Sequence, residues 1–502
     1  MNDHIKIYVT SYSEEVTGSN THVNIMFKNG RTEAFLVDCG LFQEKEYVKH
    51  NYEKFRYLPS NISFALATHV HTDHVGLFPK LIREGFSGKI YTSRETKYMM
   101  PIILKETCDR LKEEFELEHK RYNDYKKHER KVKLDAKGRG KKDKQRRKTK
   151  KTKKVEKRIT RPTVVFELED ITKCMEKVYV EELCKPFTPC EGIEITFLPN
   201  AHIGGAVIVY CRIFDETEEH TILFTGDIGM KNPVTKQVTY VPESICKKVD
   251  FIVSESTHGS AEYTKETEKE RKQHMKIIKN VHKKRGTIMY MSNSLERPEI
   301  LCQDLMKMRE EGLDILDDFT IYLDTTFGIN CLKKYKKLYG TDYLPENLKI
   351  IDKNSRNMAI NSEGPKMIIC TSPQFKHGSF INYGKMMLEN SNVTLIFVAY
   401  VPEDVRNMAH LPQGSKITFK QEEVTLWCKR VLFSYYSSHA YTDEMDEFLG
   451  RFENAKVILF NHGAVESKVN YVERYKKDNV VTHNLLNGKA VELSKNGIEK
   501  IL

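Results

Sequence analysis

The stretch Thr68-His69-Val70-His71-Thr72-Asp73-His74-Val75-Gly76 constrains the fold more than any other part of the chain. Three histidines and an aspartate fall between positions 69 and 74. The residues before it, Ile62 to Thr68, alternate apolar with small or polar side chains, which predicts a half-buried strand. Leu77 to Arg83 reads as the start of a helix. The histidines therefore lie on a turn at a strand end, where a rigid sheet can aim several side chains at one point. His69 and His71 can reach one ion from the same side, and Asp73 and His74 can reach a second. Imidazole and carboxylate are ligands that zinc favours, and a centre with an open coordination position is catalytic. The bland alternative is a polar turn. With 18 histidines in 502 residues, so tight a cluster is hard to reach by chance.

Length predicts two to four domains. A hydrophobic content of 39% and a mean hydropathy of −0.54 fit a soluble protein. No stretch approaches membrane-spanning length, and the N-terminus enters strand-like sequence without a basic leader and apolar run. Eleven cysteines, from Cys39 to Cys428, form no C-x-x-C pair. That pattern favours reduced thiols and a cytoplasmic location over a disulfide framework. The net charge of +11 is concentrated: residues 126–162 hold 20 Lys/Arg against 4 Asp/Glu, which is +16 and leaves −5 for the rest. This run has almost nothing apolar, so it is read as a solvated excursion dense enough to contact nucleic-acid phosphates.

Other strand ends carry candidate ligands. Residues 5–40 predict paired strands turning at Asn29-Gly30 and ending at Asp38-Cys39-Gly40. Residues 103–125 have helical periodicity. Ile193 to Leu198 runs into Pro199-Asn200-Ala201-His202-Ile203-Gly204-Gly205, Thr221 to Phe224 into Thr225-Gly226-Asp227, and Phe251 to Ser254 into Glu255. From about residue 261, helices alternate with strands, a βαβ pattern that predicts a separate α/β domain. Near 430 the earlier pattern resumes, with Arg430 to Tyr435 leading to His439 and Lys456 to Phe460 leading to His462.

His69-x-His71-x-Asp73-His74 resembles the signature of the metallo-β-lactamase fold, and His202 and Asp227 match its third and fourth metal motifs in order. With a domain inserted before the last strands, the chain resembles the β-CASP nucleases of that fold. Glu255, His439 and His462 fit their additional motifs; a histidine at 462 is the RNA-processing type, where DNA-repair members usually carry valine. Val37 to Gln43 and Leu77 to Leu81 also look like bacterial and archaeal relatives of the endonuclease subunit of the cleavage and polyadenylation specificity factor.

The resemblance implies an α/β protein, an αββα sandwich with an inserted α/β domain. The divisions are 1–260 for the first part of the sandwich (basic insertion about 103–165), 261–428 for the β-CASP domain, and 429–502 for the returning part. It implies two zinc ions: His69, His71 and His202 on one, Asp73, His74 and His462 on the other, and Asp227 bridging. Asp38 would brace the metal loop. A hydroxide held between the ions would attack RNA phosphorus, with Asp73 orienting it. His439 would protonate the leaving 3′ oxygen, its ring held by Glu255. Arg297 and Ser372 are candidate phosphate contacts. The expected function is a zinc-dependent ribonuclease, cutting internally or from the 5′ end, with RNA as partner and no membrane. A homodimer, a DNA nuclease of the same fold and a non-catalytic RNA-binding paralogue stay open. One departure bears on His439: the family usually has Ala-Asp after this histidine, and here it is Ala440-Tyr441.

Overall fold

A computed structural model describes residues 4–502 except 14, 139–162, 260–265, 372–374, 376–377, 400, 402 and 478. Two mixed sheets pack face to face. The first runs in the order Gly497–Ile501, Ala490–Ser494, Lys6–Ser11, Thr21–Met26, Thr32–Val37, Phe64–Leu66, Lys89–Thr92, Val178–Val180. The second runs Val481–Asn484, Val457–Phe460, Phe251–Ser254, Glu219–Phe224, Val207–Phe214, Ile193–Pro199, Pro186–Cys190. Their alternating strands send Val9, Val23, Phe35, Phe197, Val209, Phe224 and Leu459 into one apolar layer between them. Helices cover the outer faces: Phe78–Arg83 and the N-terminal part of Arg94–Gly138 over the first sheet, Thr442–Gly450 and Val465–Arg474 over the second.

A third, wholly parallel sheet lies within the chain between the second sheet's strands Phe251–Ser254 and Val457–Phe460. Its order is Leu348–Ile351, Thr320–Asp324, Lys366–Thr371, Thr287–Ser292, Val393–Phe397, Lys429–Leu432. Both faces are covered by apolar clusters, as a parallel sheet requires. The sandwich layer under Arg94–Gly138 continues into this domain without a break. Lys334 sits 3.9 Å over the Tyr98 ring at that seam.

Several expectations change. The strand before the histidine cluster is Phe64–Leu66, buried on both faces rather than half-buried, because strands pair with it on each side and a helix layer covers it. Lys429–Leu432, expected to begin the returning sandwich, pairs in parallel with Val393–Phe397 and closes the inserted sheet instead. The boundary at 260/261 lies outside the described residues. The helix expected over 103–125 spans Arg94–Gly138, so the basic run begins as a continuation of that helix. Met99, Met100, Ile103, Leu104, Cys108 and Leu111 bury one face of its first turns. Past Leu111 the described side chains to His128 are largely exposed. Gly138 is thus about 40 Å along the helix axis from Leu111; residues 139–162 of the run lie outside the described residues. Among the described residues no helix is long and apolar enough to cross a membrane.

Candidate metal centre

The strand ends of the two sheets bring all seven expected ligands together. Ligand atoms of His69, His71, His202 and Asp227 lie within 4.8 Å of one another, and so do those of Asp73, His74 and His462. Asp227 stands between the two groups. Its Oδ2 is 3.6 Å from Nε2 of both His69 and His202. Its Oδ1 is 3.2 Å from His74 Nε2 and from His462 Nδ1. That Oδ1 is buried and accepts no aligned hydrogen bond. Ring nitrogens also face one another, His69 Nε2 and His71 Nδ1 at 3.0 Å, His71 Nδ1 and His202 Nε2 at 3.3 Å, His74 Nε2 and His462 Nε2 at 3.3 Å. Lone pairs so placed repel unless protons or cations lie among them. An orphaned buried carboxylate oxygen and converging imidazoles fit divalent metal.

Local structure fixes which nitrogen His69, His74 and His202 present. Asp38, at a left-handed φ of 65°, accepts the Thr68 N–H at 2.8 Å with Oδ1. Its Oδ2 accepts from His74 Nδ1 at 2.7 Å and from Thr68 Oγ1 at 2.8 Å. His74 thereby points Nε2 at the centre, the kind of brace that metal-binding histidines use. Thr68 Oγ1 meets His69 Nδ1 at 3.1 Å, and the Ser438 carbonyl accepts from His202 Nδ1 at 3.2 Å. His462, itself at φ 42°, has Nδ1 3.3 Å from Thr257 Oγ1.

Electrostatics separate the rings. Burial drives His69 and His202 well below the ordinary histidine value and His71 down to about 4, which keeps them neutral, the form that binds metal. For His74, burial acts downward but the Asp227 and Asp38 carboxylates outweigh it and hold the ring well above the ordinary value. Burial acts upward on Asp227, and the His462 and His74 rings still hold it well below the usual carboxylate range. A negative centre of this kind would hold a cation in place of those ring protons.

At the rim, His439 Nδ1 lies 2.8 Å from Glu255 Oε2, and its Nε2 faces Asp227 Oδ2 at 3.9 Å. Burial opposes its charge, but Glu255, then Asp227 and Asp73, raise it to about 9. Glu255 is 4% exposed and also accepts the Ile228 N–H. Two residues the sequence reading passed over hold this corner. Ser437 Oγ accepts the His439 N–H at 3.2 Å and meets His258 Nε2 at 2.8 Å. His258 stacks on Tyr441, centroids 5.4 Å apart and planes 5° apart. The position where the family usually has an aspartate is thus filled by a ring that packs beside the loop carrying His439. The signal available was His258 itself, three residues after Glu255 in Glu-Ser-Thr-His. Arg297 Nη2 donates to Ser438 Oγ at 3.0 Å, beside the centre, while Ser372 lies outside the described residues.

The metallo-beta-lactamase superfamily model matches residues 19–171 and the Beta-Casp domain model matches residues 299–406. The chain belongs to the β-CASP branch of the metallo-β-lactamase superfamily. This β-CASP chain is 23% identical to a ribonuclease of Thermus thermophilus over 90% of its own length and 92% of that protein's. It is 22% identical to the transcription termination factor FttA of Methanosarcina mazei, over 91% of this chain and 68% of the relative. It is 26% identical to the cleavage and polyadenylation specificity factor subunit 3-II of Arabidopsis thaliana, over 64% of this chain and 44% of the relative. Membership implies divalent-metal binding, and the ligand groups are in place for it.

Proposed function

We propose that this β-CASP protein is a zinc-dependent ribonuclease that binds two ions and hydrolyses RNA phosphodiester bonds. The observation that carries the reading is Asp227, whose two oxygens face two separate ligand groups while His439 stands at the edge of the same carboxylate. His69, His71 and His202 would hold one ion, and Asp73, His74 and His462 the other, with Asp227 shared. Bound, such a pair supplies an attacking water ionised near neutral pH and charge neutralisation at the phosphate. Glu255 binds His439 through Nδ1, which leaves the Nε2 proton directed into the centre, where the leaving 3′ oxygen would take it. Asp73, at the mouth of the turn, orients the attacking water. Arg297 adds positive charge beside the acid's loop. The division into a sandwich and an inserted domain belongs to this reading and is supported by the separation of the inserted parallel sheet from the two sandwich sheets. A reducing, cytoplasmic setting is supported by eleven unpaired cysteines.

The ribonuclease named above supports RNA over DNA, as does histidine at 462. The test is zinc-reconstituted protein with end-labelled RNA and DNA of matched sequence, alongside metal analysis. About two metals per chain and metal-dependent cleavage of RNA are expected. Preferential cleavage of DNA, or no metal after reconstitution, overturns the reading.

A further inference from the structure

The turn that carries His202 is gripped from both domains. On the sandwich side, Ser93 Oγ and Thr96 Oγ1 donate to the Gly205 carbonyl at 2.6 and 3.0 Å. Val207 N–H donates to the Thr68 carbonyl at 2.9 Å. From the inserted domain, Glu296 Oε1 accepts the Gly204 N–H at 2.9 Å, and the Tyr335 hydroxyl donates to the same oxygen at 3.1 Å. The approach is close: a Cβ on Gly204 would stand 2.6 Å from the Tyr339 hydroxyl and 3.0 Å from that of Tyr335. The next residue, Arg297, donates to Ser438 Oγ, and the Ser438 carbonyl takes the His202 Nδ1–H. Adjacent residues at the start of one inserted-domain helix, Arg297–Glu310, therefore reach the His202 turn by two routes.

Glu296 is an unfavourable residue for its place. It sits at φ 59°, a left-handed conformation that glycine adopts without cost. It is 1% exposed, and its Oε2 is buried without an aligned hydrogen bond, although the Asn232 amide is close by. A strained backbone under a buried, half-satisfied carboxyl points to a role that the fold does not need. We infer that Glu296 is a positioning residue for the metal centre, and that through it and Arg297 the inserted domain sets the orientation of His202. This rests on the reading of His202 as a metal ligand.

The experiment loads full-length protein with zinc and measures metal loss to a chromogenic chelator without RNA, for wild type, Glu296→Gln, Glu296→Ala, Glu296→Gly and Arg297→Gln. Glutamine keeps an oxygen for the Gly204 N–H and should retain zinc as wild type does. Alanine and glycine should weaken retention of the ion held by His202 by about 10–100-fold, the usual cost of removing a ligand's support. Glycine also relieves the left-handed backbone, so thermal unfolding of the apo-protein should show the glycine variant more stable than the alanine variant. Arg297→Gln should weaken retention in the same direction. Equal zinc retention in all five proteins overturns the inference and leaves the ribonuclease reading standing, whereas failure of wild type to hold zinc sinks that reading first. Glycine and alanine variants equally destabilised, with zinc retention lost in proportion, would mark Glu296 as structural and overturn it too.

Discussion

His439 owes its placement to one carboxylate and one hydroxyl, Glu255 on the ring and Ser437 on the backbone. Because it is not among the ligand groups, His439→Ala should keep the metals and RNA affinity while turnover at saturating RNA falls by roughly 10²–10⁴-fold. Wild-type turnover in that variant would remove it from the reaction. A second residue makes a different prediction. Glu299, on the helix after Glu296, is 2% exposed and has an unpartnered Oε2. Burial pushes its carboxyl up to about 8 from the ordinary 4.5. The folded state therefore holds that proton more tightly than the unfolded state. Its contribution to stability is full below pH 4.5 and is lost as pH rises through 8. Glu299→Gln should flatten the pH dependence of the unfolding midpoint over this window and exceed wild type at pH 8.5. Equal slopes for the two proteins would refute this. At this scale the sequence told more about ligands than about their supports. The seven candidate ligands end strands in a fixed order, which a reader of sequence can see. Glu296 reaches Gly204 from the inserted domain over 92 residues, and His258 reaches Ser437 over 179. No local pattern encodes such pairings.

Among the elements, the Arg94–Gly138 helix departs most from its expected form. Its apolar face stops near Leu111, but nothing in the charged residues after it breaks a helix until Gly138. Periodicity marks where a helix is buried, and helix formers such as Lys, Glu and Arg carry it on without burial. That Lys429–Leu432 joins the inserted sheet rather than the sandwich escapes the sequence for a related reason: a short apolar strand says that it joins a sheet but not which one. The helix also places the start of the basic run well beyond the fold. Replacing residues 126–162 by a short linker should leave metal content and turnover at saturating RNA unchanged. It should weaken RNA binding and flatten its salt dependence, because each phosphate of a single strand that is neutralised contributes about −0.7 to the slope of log K against log salt. A titration series with Glu255→Gln protein measures the slopes; superimposable lines would show that the run touches no phosphate.

For the whole molecule, the junction of the inserted domain with the returning chain is a buried polar knot. His274 is fully buried, with Nδ1 2.8 Å from the Tyr435 hydroxyl and Nε2 2.7 Å from that of Tyr290. Tyr435 and Tyr436 both donate to Asp304, which also pairs with Arg271. Burial lowers His274 from 6.5 to about 4, against the pull of Asp304. Stability from this neutral ring is present above pH 6.5 and is lost as pH falls through 4, since the unfolded chain takes up the proton first. His274→Gln should unfold with a shallower dependence on acid over that interval; a slope equal to wild type would count against the knot. The order of strands has a further consequence, and it concerns synthesis. Lys6–Ser11 pairs with Ala490–Ser494, and the candidate ligand His462 follows the inserted sheet. A ribosome must therefore extend the chain past Ser494 before the first strand gains its second neighbour, and past His462 before the last candidate ligand arrives. Chains abandoned before that point would lack the full set of candidate ligands, so partial products of synthesis would carry an unfinished centre.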